Sequence, residues 1–81
     1  MAIILTDHSE VRARQRLGLN RRALRRMAAL AWSRGALIRH PVKEPSQVAR
    51  RFGNGIWIFA MLDPDVVLLT VLWARRDLHG V

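Results

Sequence analysis

The stretch QVARRFGNGIWIFAMLDPDVVLLTVLW, residues 47–73, decides the fold. Its apolar runs are interrupted twice, by GNG at 53–55 and by DPD at 63–65. Gly, Asn, Asp and Pro let a chain reverse, while Val, Ile, Phe and Trp suit a pleated, half-buried surface. In the first reversal Asn54 and Gly55 are expected to supply the two positive backbone dihedrals of a type I′ turn. The stretch therefore reads as a three-stranded antiparallel meander over about residues 47–76, with Ile56 to Leu62 as its middle strand.

Side chains alternate across a strand, and here both faces of the middle strand are apolar. Ile56, Ile58, Ala60 and Leu62 point one way, and Trp57, Phe59 and Met61 the other. The third strand divides in the same manner into Val66, Leu68, Thr70 and Leu72 against Val67, Leu69, Val71 and Trp73. Two short helices cover one face of such a sheet. Large exposed apolar patches are rare in monomers, so the second face is expected to pair with another copy of the chain. Trp57, Phe59, Met61 and Trp73 are the expected residues of that homodimer interface.

The helices come from the N-terminal half. Thr6 or Asp7 caps a first helix that runs to about Leu17, Asp7 and Glu10 favour its positive end, and Gly18 stops it. Asn20 caps a second helix with an apolar face of Ala23, Leu24, Met27, Ala28, Leu30 and Ala31, ended by Gly35. The three-residue link GLN makes the two a helical hairpin over about residues 7–35. A short extended piece at 36–39 and a proline-containing loop at 40–46 follow. The fold class is α+β: one domain, 1–81, with an N-terminal helical hairpin followed by a three-stranded antiparallel β-meander.

Composition bounds the function. No cysteine is present, which excludes disulfides and sulfur-ligated metal, and with six acids and three scattered histidines no metal or cofactor is expected. The start MAIILTDHSE lacks the basic region and apolar length of a secretory signal, and no run is long enough to span a membrane. A cytoplasmic location with no membrane partner is the expectation. The net charge is +8 on 81 residues, and all fourteen basic residues except Lys43 are arginine. Such a chain favours a polyanionic partner, and arginine suits phosphate through its forked geometry. Nucleic acid is expected, or else an acidic protein surface.

Seven arginines fall between positions 12 and 26. His8, Arg12 and Arg16 lie four apart on one helical stripe, which would set an imidazole beside two guanidiniums as a candidate base next to a held phosphate. A solvated helix face is the simpler account of the same stripe. Arg14, Arg21, Arg22, Arg25 and Arg26 gather around the helical link as a candidate phosphate-binding surface, which Arg50 and Arg51 extend along the first strand of the meander. Arg75 and Arg76 end the last strand. Trp32, Phe52, Trp57, Phe59 and Trp73 are of a kind to stack bases, but their spacing favours packing. RLGLNRRALRRM has the outline of a helix-turn-helix, yet Arg14 stands where that turn wants a small residue.

Thr6, His8, Arg12, Arg16 and Gly18, then Gly53, Phe59 and the run Leu69 to Leu72, together resemble the toxin-like domains of phages, plasmids and bacterial chromosomes related to RelE and barnase-type RNases. The resemblance implies helices followed by a small antiparallel sheet. It also implies RNA binding and metal-independent RNA cleavage, in which basic residues hold phosphate and a histidine or arginine assists proton transfer. This chain departs from the pattern: it has no tyrosine, one lysine, placed in the loop, and no acid expected within a strand. These absences weigh against a ribonuclease toxin and leave binding without cleavage intact. A mobile-element inhibitor that docks on an acidic or nucleic-acid-binding surface of a host protein is the alternative.

Overall fold

The computed structural model describes residues 1–39 and 46–73. The chain runs β1 (Ile3–Leu5), α1 (Asp7–Leu17), α2 (Arg21–Arg34), β2 (Ala36–Ile38), β3 (Gln47–Phe52), β4 (Gly55–Leu62) and β5 (Asp65–Trp73). The α+β class and the helical N-terminal half are as expected, but a three-stranded sheet is too narrow. Five strands are ordered β1-β5-β4-β3-β2, antiparallel throughout except that β1 lies parallel to β5. The expected meander is the centre, and β2 extends it where the sequence predicts a short extended piece. β1 is new: three apolar residues show no period, and their partner strand is at the far end of the chain. It is pinned there by Ala2, whose N–H donates to Asp65 Oδ1 at 3.0 Å and whose carbonyl accepts from Val66 N at 2.9 Å.

Both helices pack on one sheet face. Ala13, Leu24, Ala28 and Ala31 meet Trp57, Phe59, Val66, Leu68 and Val71 in the main core, with Ile3 and Leu5 packed against it. The small side chains let the helix backbones approach the sheet, and the large ones project from the sheet into the space left. Trp57 and Phe59 are 0% exposed in this core, which removes them from any dimer interface. Alternation shows that a strand has two apolar faces; it does not say which one the helices take. Met61 and Trp73, by contrast, are exposed. On the other face Ala49, Ile56 and Ile58 form a second, smaller buried cluster, with Ile38, Leu69 and Leu72 packed against it. Within the sheet, the exposed large apolar residues Ile4, Leu37, Met61, Leu62 and Trp73 lie on edge strands or near strand ends rather than in one central patch.

Strict alternation fails along β5. Ile58 pairs with Thr70 but Phe59 pairs with Leu68, so Leu69 is an extra residue in the ladder. This bulge shifts the face of everything after it, which is why Val66 and Leu68 share the main core with Val71 instead of with Thr70. It also brings backbone carbonyls of β5 to the start of α1. Thr6 Oγ1 donates to the Leu68 carbonyl at 2.9 Å while accepting from Ser9 N at 3.0 Å. Ser9, the one buried polar side chain among the described residues, completes a capping box: its Oγ accepts from Thr6 N at 3.0 Å and donates to the Thr6 carbonyl at 2.8 Å. Thr6 thus caps the helix and ties it to the sheet. Replacing it by Ala is expected to cost about 1–2 kcal/mol, the range of a lost N-cap, read as a lowered midpoint in urea with an unchanged slope.

Gly18, with φ of 67°, ends α1, and Asn20 caps α2 by accepting from Ala23 N at 2.8 Å, both as expected. Gly35 ends α2 in a different manner: its backbone is extended, φ −66° and ψ 147°, and what requires glycine is space. A Cβ there would lie 2.4 Å from the Ala31 carbonyl oxygen and 3.0 Å from Arg50 Cβ. The first hairpin turn also differs from expectation. Its central residues are Gly53 and Asn54, and only Gly53, at φ 59°, is positive, the pattern of a type II′ turn rather than type I′ on Asn54 and Gly55. Residues 74–76, expected in the last strand, lie outside the described residues. No described helix is long and apolar enough to cross a membrane.

Candidate nucleic-acid interface

Arginines of the two helices divide by use. Arg16 leaves the end of α1 and donates from Nη1 to the Val71 carbonyl at 3.0 Å. With Thr6 at the other end of the helix, it fastens α1 along β5. Arg50 points under α2, donating from Nη1 to the Gly35 carbonyl at 3.1 Å, with its guanidinium 5.1 Å from the Trp32 ring centroid. Its Nε is buried with no hydrogen-bond partner, so this arginine belongs to the packing of α2 on β3 and not to an open surface. Arg12 donates to Gln15 Oε1 at 3.2 Å on its own helix. Arg21 meets an acid after all: its Nε lies 3.0 Å from Glu10 Oε1 across the helical link. That pair is open to solvent and contributes little to stability, but it neutralises one of the expected binding residues.

Of the seven arginines between positions 12 and 26, Arg14, Arg22, Arg25 and Arg26 remain, all exposed and without a side-chain partner among the described residues. Arg22 stands three and four positions before Arg25 and Arg26, so the three form one stripe of the first two turns of α2. The apolar face of α2 fixes the stripe: with Leu24, Ala28 and Ala31 held in the core, the stripe is turned to solvent. No acid stands in the first turn of α2, where the helix dipole would favour one. An arginine cluster at that end is electrostatically unfavourable alone and gains from an external anion. Arg51 is exposed on β3. Arg75 and Arg76, together with His40, Lys43 and His79, lie outside the described residues.

The stripe borders a groove. It is open to solvent, with a volume of about 540 Å³, and is lined by Met1, Ala2 and Ile3 at the start of the chain and by Arg25, Ala29, Trp32 and Ser33 of α2. Trp32 is half-buried, edge-on to Phe59 at 5.1 Å between centroids and 70° between planes, so its indole is held from two sides. The groove was not legible without β1. The spacing of Arg25, Ala29, Trp32 and Ser33, along one helix face, is the signal that could have indicated it.

His8 is exposed at the start of α1 and has no partner among the described residues. Arg16 is committed to the β5 backbone and Arg12 to Gln15, so the stripe His8, Arg12 and Arg16 does not converge on one point through these contacts. Asp65, the first residue of β5, is an acid within a strand, and it accepts from the Ala2 backbone. Among the described residues, no group of three or more His, Asp or Glu could hold a metal ion. No protein-family model matches the chain, and no curated protein is significantly similar to it.

Proposed function

We propose that this chain is a small basic protein that binds nucleic acid, RNA in preference, by setting Arg14, Arg22, Arg25 and Arg26 on the phosphate backbone. The single observation that carries this is the unneutralised arginine stripe at the start of α2, exposed beside a groove with an aromatic wall. The RNA preference rests on the resemblance to toxin-like RNase domains. Cleavage has weaker support than binding, because of the two guanidiniums that would hold a phosphate beside His8, Arg16 is bonded to the β5 backbone and Arg12 to Gln15 on the helix surface.

Anisotropy of a labelled RNA hairpin and of a DNA duplex across a salt series tests the proposal. Four phosphate contacts predict that log K falls against log salt with a slope of about −3 to −4, or roughly sixty- to two-hundred-and-fifty-fold between 50 and 200 mM. The same samples on a denaturing gel report any cleavage. Anisotropy that stays flat at low salt would reject nucleic acid and assign the stripe to an acidic protein surface. Light scattering on the free protein then decides whether one copy or two presents the stripe.

A further inference from the structure

We propose that the groove between β1 and α2 seats one unpaired base of a single-stranded polynucleotide, with Arg25 on a neighbouring phosphate. The proposal deepens the nucleic-acid function proposed above and rests on it. The groove's volume, about 540 Å³, lies within the range of about 300–1,000 Å³ typical of small-ligand clefts. Its walls have the chemistry of a nucleotide laid on its side. Ile3, Ala29 and Trp32 give an apolar wall for a base, and Arg25 is a cation at the rim with no acid partner among the described residues. The Ser33 hydroxyl donates to the Ala29 carbonyl at 3.0 Å, which leaves its oxygen to accept from a base N–H.

Pre-organisation favours the same occupant. Arg50 and Phe59 already hold the indole of Trp32, so a base packing on its remaining surface orders no loose side chain. A base within a duplex is stacked on its neighbours and cannot enter. An acidic peptide would satisfy Arg25 but leave the apolar wall unused. A single-stranded segment uses both.

Ala29 is exposed and lines the groove, so Ala29→Phe fills it while leaving every arginine in place. Wild type and variant are titrated at one salt concentration with a short single-stranded RNA and with the same backbone carrying abasic positions, which keeps the phosphate charge and removes the bases. Wild type is expected to bind the abasic strand about tenfold more weakly, the order of one lost base–aromatic stack. Ala29→Phe is expected to bind the natural strand at that weaker level and the abasic strand unchanged. Equal affinity of wild type for the two strands, or full affinity of Ala29→Phe for the natural strand, would overturn the base pocket while leaving the arginine stripe intact. Failure of wild type to bind either strand is a failure of the stripe itself. A thermal melt of Ala29→Phe matching wild type confirms that the variant folds; if it does not match, Ser33→Phe fills the same groove from the next turn and is held to the same outcomes.

Discussion

Reversing the charge at Arg22, Arg25 and Arg26 together is expected to weaken RNA binding by about two orders of magnitude and to leave the fold intact. Three of the four proposed phosphate contacts disappear at about 1 kcal/mol each, and every 1.4 kcal/mol is tenfold in affinity. The salt slope should fall to about −1, because a single counterion-releasing contact remains. All three side chains are exposed and unpartnered among the described residues, so stability should move by no more than about 0.5 kcal/mol. Acids in the first turns of α2, where none now stands, suit the positive end of the helix dipole. Arg16→Ala supplies the opposite signature. It frees the Val71 carbonyl and unfastens the end of α1, so it should lower the melting temperature while the salt slope stays close to that of wild type. A binding loss from Arg16→Ala as large as that from the triple variant would mean that binding does not depend on the stripe in particular, and the stripe would have no standing as a site.

That contrast marks the limit of what charge in a sequence reveals. An arginine count cannot say where a guanidinium ends. The seven between positions 12 and 26 look alike on a helical wheel, yet Arg16 reaches a strand carbonyl, Arg21 an acid, and Arg22, Arg25 and Arg26 only solvent. Arg50 is the sharper case. Placed on a strand beside Arg51, it reads as part of a basic edge, but β3 turns it toward the helices and Arg51 away from them, and it packs under Trp32. The face of a strand is set by its register, and register is a tertiary property.

The local elements were legible because their causes are local. Thr6, Gly18 and Asn20 terminate helices through bonds or dihedrals that involve residues a few positions away, and the two chain reversals of the meander carry their own turn residues. β1 was not legible, because its hydrogen bonds run to a strand at the other end of the chain. Nor was the bulge at Leu69, where the sequence LLTV alternates without a break; its carbonyl neighbours find their donor in Thr6, more than sixty residues earlier. Gly35 was placed correctly as a stop, for a different reason: crowding by Ala31 and Arg50 rather than a left-handed backbone. The groove was illegible for the same reason, since Met1, Ala2 and Ile3, which line one side of it, are placed by the pairing of β1 with β5.

Trp57→Ala is expected to be the most damaging single truncation of the fold. The side chain is fully buried between helices and sheet, and its Nε1–H donates to the Phe52 carbonyl at 3.2 Å beside the hairpin turn. Removing it leaves a cavity and breaks that hydrogen bond at once, which costs about 3–5 kcal/mol. In a domain of this size that is a large share of the total stability. It corresponds to a drop of roughly 15–30 °C in melting temperature. The protein concentration used in the melt decides what the residue does. A core tryptophan lowers the melting temperature by the same amount at every concentration, whereas an interface tryptophan destabilises through dissociation, so that wild type would melt higher as concentration rises and the variant would lose that dependence. Met61→Glu is the matched test of the exposed margin. Its side chain already meets solvent, so a charge there should leave a monomer's stability almost unchanged and would split a dimer built on the end of β4. Large destabilisation by Trp57→Ala at all concentrations, with none by Met61→Glu, assigns the first to the core and leaves the second with no partner. The reverse pattern would restore the self-paired sheet and put the arginine stripe on a two-fold assembly.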